Sequence, residues 1–162
     1  MTASVRASMR ERLSEYAEAH RSKRNELCHF VGVPLIVFGA ARLLGAVRLA
    51  NLAGHEISLT HALVPGLLAY YLVQARWLGL CTAALIMLLS GAGLAVPFGV
   101  GCAAFVFGWL VQFIGHAHYE HRKPAFMQNL VHLVVGPAWL VERAFWSDVR
   151  HDSRVSSHPS LR

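Results

Sequence analysis

A chain of 162 residues is long enough for one domain. Its 55% hydrophobic and 15% charged content, with a mean hydropathy of +0.42, lies outside the soluble range of roughly 45–50% apolar and about 25% charged, which excludes an ordinary water-soluble globule. The net charge of +6 does not argue for a nucleic-acid partner, because the basic residues gather in the first 24 residues and again after Glu120, flanking an apolar block as they do at a membrane face.

Residues 4 to about 20 predict an amphipathic helix, with Val5, Met9, Leu13, Tyr16 and Ala17 at helical spacing and charged residues elsewhere around it. Such a helix lies on a membrane or caps a bundle. No short apolar core of a cleaved signal peptide precedes it. Four crossings are expected next: Phe30 to Val47 with Pro34 in its first turns, Leu59 to Ala75, Trp77 to Val96, and a fourth from the Pro97 turn to Gly115. From Trp77 to Gly115 there is no charged residue. Arg42 and Arg48 near the end of the first crossing must snorkel or pair, and Asn51 to Ser58 reads as a short polar loop. The apolar stretch Phe126 to Trp146, interrupted by His132, Pro137 and Glu142, suits a re-entrant or interfacial helix. The expectation is an all-α integral membrane bundle over residues 1–146, followed by a disordered polar tail over 147–162.

An even number of crossings returns the chain to the face it left. His20, His29 and His116 then share one face, which the basic flanks make cytoplasmic. Histidine is the commonest metal ligand, and ionisable groups at membrane depth usually have a task. The first cluster is His20, Asn25 and His29. Asn25 and His29 are four apart on one helical face, but His20 and His29 are nine apart and fall on opposite faces of a straight helix. One metal can take both only if the helix breaks between them, at Arg21-Ser22-Lys23-Arg24, with Ser22 as an N-cap. The bland reading is a pair of interfacial histidines bonded to backbone or lipid.

The second cluster is His116, His118, Glu120 and His121. His116 and Glu120, four apart, can both face inward; His118 points about 200° away and reads as a boundary residue, while His121 remains a candidate. Here the bland reading is a solvated collar ending a span. His132 is a third candidate, although a lone histidine on an apolar helix is commonly a satisfied core residue. His55, His61, His151 and His158 read as bystanders. A site of imidazoles with a carboxylate suits iron, zinc, copper or nickel. Cys28, Cys81 and Cys102 form no CxxC pair, which disfavours a zinc knuckle, a disulfide framework and an iron–sulfur cluster. A metal at the end of a greasy bundle suits an amphipathic substrate, head at the metal and tail in the lipid.

The pattern Tyr16-x3-His20-x4-Asn25-x3-His29-x2-Gly32-x-Pro34, then Gln112-x2-Gly115-His116-x3-Glu120-x3-Pro124-Ala125, then Asn129, Pro137 and Glu142, resembles the Mpo-type 2-hydroxy fatty acid dioxygenase family over roughly residues 10 to 146. Its fungal founder is an endoplasmic-reticulum protein of phytosphingosine breakdown. The middle spans match in hydrophobicity alone. The resemblance implies an Fe(2+)-dependent dioxygenase that cleaves a 2-hydroxy fatty acid with dioxygen, giving carbon dioxide and the acid one carbon shorter without 2-oxoglutarate. It carries metal ligation onto His20, His29 and His116, with His132 in the region of a fourth ligand. Glu120 and Asn25 match the motif as supporting residues, and Arg122 or Lys123 would steer the substrate carboxylate. A bacterial inner membrane is the expected location, and nothing in the sequence sets an oligomeric state. Two other readings compete: a membrane di-metal hydroxylase or desaturase, which needs more close-spaced histidines, and a non-catalytic metal- or lipid-binding membrane protein.

Overall fold

A computed structural model describes residues 8–20, 22–74, 76–120 and 131–155. The chain forms α1 (Met9–Ala19), α2 (Lys23–Gly45), a hairpin of β1 (Arg48–Leu52) and β2 (His55–Ser58), α3 (Leu59–Gln74), α4 (Arg76–Leu94) and α5 (Phe98–Ile114). A π-helical segment, Gly115–Glu120, continues α5, and α6 (Val131–Val155) closes the order. The all-α membrane bundle expected from the sequence is what forms. Three stretches are long and apolar enough to cross a bilayer, namely Lys23–Gly45, Arg76–Leu94 and Phe98–Glu120. α3, expected as a fourth crossing, is not among them: its 16 residues reach about 24 Å, short of a hydrocarbon core of about 30 Å.

The outer faces of these helices are apolar and exposed: Leu63, Trp77, Leu88, Phe107 and Leu110 all point away from the bundle. In water that surface would be a liability; in lipid it is a solvated one. Burial is instead greatest at the end of the bundle where α1 and α6 pack. There Met9, Leu13 and Tyr16 of α1 meet Val135, Ala138, Trp139 and Leu140 of α6, with Tyr71, Ala83 and Ile86 beneath them. α1 therefore caps the bundle through α6. It starts at Ser8, whose hydroxyl accepts from Glu11 N–H while Glu11 accepts from Ser8 N–H at 2.6 Å, a reciprocal box that satisfies two orphan donors.

Several boundaries differ from those expected. α2 begins at Lys23 rather than Phe30, so Pro34 lies well inside it instead of in its first turns. The polar run before Phe30 is helical because Asn25 and His29 face inward and its charges face out. Ser22 does occupy the N-cap, but its side chain makes no capping bond. Asn51 to Ser58 belongs to a hairpin rather than a loop, β1 pairing antiparallel with β2. Ala53 and Gly54 both have positive φ, 50° and 85°, as a tight hairpin turn demands. Arg48 pairs with Glu56 across the strands at 3.0 Å, and Arg42 donates to the Val96 carbonyl at 2.8 Å and lies over the Phe98 ring. Both arginines are thus paired. α6 runs to Val155, past the point where the sequence suggests a tail.

α2 and α5 approach closely because glycine lines their contact. A methyl group on Gly39 would sit 2.6 Å from the Gly101 carbonyl and 2.7 Å from Phe105 Cβ. Without a hydrophobic force between helices in lipid, such backbone contact is how they adhere. The even number of passes between α2 and the π segment brings both ends to one face.

Candidate metal centre

Three buried histidines meet at that face. His20 follows the end of α1, His29 is in the second turn of α2, and His116 is in the π segment; they are 6%, 1% and 4% exposed. Their ring centroids lie 4.4 Å (His20 to His29), 4.9 Å (His20 to His116) and 5.0 Å (His29 to His116) apart. One ring nitrogen from each falls within 4.8 Å of the others. The break between α1 and α2 solves the spacing problem. His20 closes α1 with φ −122° and ψ 74°, and the chain turns before α2 starts, so a ninth-residue neighbour comes round to the same side.

The hydrogen bonds fix the tautomers of His20 and His29. His20 Nδ1 lies 2.6 Å from the Tyr16 carbonyl and His29 Nδ1 lies 2.9 Å from the Asn25 carbonyl. A carbonyl accepts only, so each Nδ1 carries the proton. His116 Nδ1 lies 3.2 Å from Glu120 Oε2, and a carboxylate makes the same demand. In His20 and His29 the lone pair is therefore left on Nε2; His116 Nδ1 faces both the Glu120 carboxylate and the Asn25 amide nitrogen. This is the usual dress of a metal-ligating histidine, whose second nitrogen is held by a carbonyl or carboxylate. His20 Nε2 is buried with no hydrogen-bond partner, a costly arrangement unless a cation takes the lone pair. The residues present fit a metal ion.

Electrostatics agree at the position outside the spans. Burial, above all, lowers the His20 pKa to about 4, with the positive charge of His116 acting the same way; the bond to Tyr16 and the charge of Glu120 oppose it. The ring stays neutral and ready to ligate at neutral pH. Tyr16 stacks on His20 with centroids 4.0 Å apart, and burial, then Glu120, raises its phenol pKa, so it remains protonated.

Glu120 also joins the elements. Its Oε1 accepts from the Ser22 backbone N–H at 3.4 Å, which ties the break between α1 and α2 to the segment that carries His116. The Asn25 amide, fully buried, lies 3.5 Å from His116 Nδ1. The π turn widens the helix where the ligand sits, a common device at functional sites. His118 is exposed on it, as its angular position suggests. His132 is not within the group of three; it lines the cavity beside them, its ring 5.8 Å from that of Tyr16. His121, Arg122, Lys123 and Asn129 lie outside the described residues. The sequence alone does not single out Trp139, which packs 5.4 Å from Tyr16, 5.5 Å from His20 and 6.0 Å from His29. Its spacing of seven from His132 on one helix was the available signal.

From the histidines a cavity of about 320 Å³ runs into the bundle, lined by apolar residues of α2, α5 and α6. This is a membrane helical bundle with a buried three-histidine group opening onto a greasy lane. Residues 6–146 match the family described as 2-hydroxy-palmitic acid dioxygenase Mpo1-like, and the chain belongs to that family. It is 31% identical over 138 residues to the Saccharomyces cerevisiae protein named 2-hydroxy-palmitic acid dioxygenase MPO1, an alignment covering 82% of this chain and 77% of that one. No solved structure matches the chain.

Proposed function

We propose that the chain is an iron(II)-dependent dioxygenase that shortens 2-hydroxy fatty acids by one carbon, the chemistry of fatty acid α-oxidation. One observation carries this reading: three buried imidazoles offer ring nitrogens within 4.8 Å of one another at an apolar cavity, and His20 Nε2 has no partner. The yeast relative's name, 2-hydroxy-palmitic acid dioxygenase, supplies the substrate class. In the overall reaction the hydroxy acid and dioxygen give carbon dioxide, water and the shorter acid. All the electrons that reduce dioxygen come from the acid itself, so no 2-oxoglutarate is consumed.

His20, His29 and His116 would hold the metal, a ligand set suited to iron(II). Iron bound there would supply the dioxygen chemistry that breaks the C1–C2 bond. The chain's residues do the rest. Glu120 keeps the His116 proton on Nδ1 and aims the ring. Asn25 packs against the same nitrogen and offers its carbonyl to His29. His132 stands at the cavity wall as an auxiliary imidazole, and Arg122 and Lys123 steer the carboxylate. Tyr16 and Trp139 exclude water behind the rings. We read this end as the cytoplasmic side of a bacterial inner membrane, a reading that the basic residues Arg10, Arg12, Lys23 and Arg24 favour. A di-metal hydroxylase would need a second cluster, and among the described residues one group of three is found.

The test is dioxygen uptake by detergent-purified, iron(II)-loaded protein given 2-hydroxypalmitate, with iron content measured in parallel. Uptake with pentadecanoate as product is expected. The His116→Ala variant is expected to lose both bound iron and uptake; normal turnover in that variant would refute the assignment.

A further inference from the structure

The cavity has a direction. On α2, Val33, Val37 and Ala40 follow His29 along one face, at steps of three and four residues; on α5, Trp109 and Phe105 lead away from His116 in the same way. Eleven residues separate His29 from Ala40, and eleven separate Phe105 from His116. At 1.5 Å per residue each wall is about 16 Å long. That is roughly half of the ~30 Å hydrocarbon core, the depth of one leaflet. The lining stops at Ala40 on α2 and Phe105 on α5, while the two backbones touch along the whole lane, at Gly32 and Gly108 beside the histidines as at Gly39 and Gly101. Leu133 and Gly136 of α6 form its third side, and Leu133 is half exposed toward the outside of the bundle.

We propose that this lane holds the acyl tail of the substrate, drawn from the adjoining leaflet, and that Ala40 and Phe105 at its far end set the longest tail accepted. The inference rests on the dioxygenase reading for the head group. The occupant is argued separately, from the apolar lining, the continuity with the three histidines and the half-bilayer depth. A straight saturated chain of palmitate length fits such a lane; a bulky sterol or a two-chain lipid does not.

Two variants and one label test it. Ala40→Phe fills the far end, and the kcat/KM ratio of 2-hydroxypalmitate to 2-hydroxydecanoate is expected to fall about tenfold or more. Phe105→Ala opens the end and is expected to raise the ratio of 2-hydroxyarachidate to 2-hydroxypalmitate severalfold. Iron content reports whether each variant is intact; if Ala40→Phe loses iron, Ala40→Leu and Phe105→Ala decide. Independently of turnover, 2-hydroxypalmitate bearing a diazirine at its methyl end is photolysed on the iron-loaded wild-type protein in nanodiscs. Label on α2 and α5 near Ala40 and Phe105 is the expected result. Wild-type protein that labels there without turning over would sink the dioxygenase reading and leave the lane standing. Label confined to the outer faces of α3 and α4, no label at all, or unchanged length ratios in iron-replete variants would overturn the lane.

Discussion

Each histidine at the centre is set by a different local cause. His20 satisfies a carbonyl orphaned at the end of α1, His29 reaches back four residues within α2, and His116 leans on a carboxylate four residues ahead. Glu120 links the His116 segment to the break between α1 and α2. Glu120→Gln keeps an acceptor for His116 but drops the charge, and iron affinity is expected to fall about 10–100-fold, with Glu120→Ala falling further. Competition with a chelator measures this, and unchanged affinity in both variants would count against the role. The burial of His20 makes a second, metal-free prediction. Its folded pKa is about 4 against an ordinary 6.5, so between those values the unfolded chain binds a proton that the folded chain does not. The contribution to stability is full above pH 6.5 and is lost as pH falls toward 4. Nitrogen-15 spectra of labelled histidine in the apoprotein should show His20 titrating near 4, and titration at an ordinary value would contradict its burial.

At the scale of elements, the site depends on close backbone approach. A methyl group on Gly115 would press on Asn25 Oδ1 and come within 2.8 Å of Cys28 Cβ, directly behind the ligands. Gly115→Ala is expected to lower iron retention and to cost about 1–3 kcal/mol, and Gly39→Ala to cost a similar amount at the α2–α5 contact. Gly91 on α4 meets nothing within 4 Å, so Gly91→Ala should leave the unfolding midpoint in detergent unchanged or raise it. Equal effects in all three would show that packing is not the cause. The sequence revealed the elements where periodicity or charge marked them: the polar amphipathic α1, the charge-free α4 and α5, and the break near Ser22 that nine-residue histidine spacing requires. It hid the hairpin, because Ala53-Gly54 lacks the Asn or Asp that advertises a type I′ turn. Hydropathy alone started the crossing at Phe30, seven residues inside the helix, because it cannot see a helix continuing through polar residues; the Ser22 N-cap marked the true start. The π turn was also hidden, since His116 and Glu120 are four apart in either kind of helix.

At the scale of the molecule, apolar side chains face outward, and the buried histidines gather at one end. The constellation of Tyr16, His20, Asn25, His29, His116 and Glu120 was readable because its members sit in two short segments that an even number of passes brings together. Trp139 and the lane were not readable, because apolar residues of α2, α5 and α6 look alike until the helices are packed. The orientation predicts that cysteines introduced at Glu18 and at Leu52, both exposed at opposite ends of the chain's passes, react with an impermeant thiol reagent from opposite sides. Glu18 should be reached from one side and Leu52 from the other, and labelling of both from one side would break the topology. The central claim is that the histidine centre cleaves the bond between C1 and C2 with dioxygen alone. Its most direct test supplies 2-hydroxypalmitate carrying carbon-13 at C1 to the iron-loaded protein without reductant or 2-oxoglutarate. Labelled carbon dioxide released in equal amount to the dioxygen consumed, with unlabelled pentadecanoate, is the predicted result. Dioxygen consumed while the label stays in the acid would contradict it.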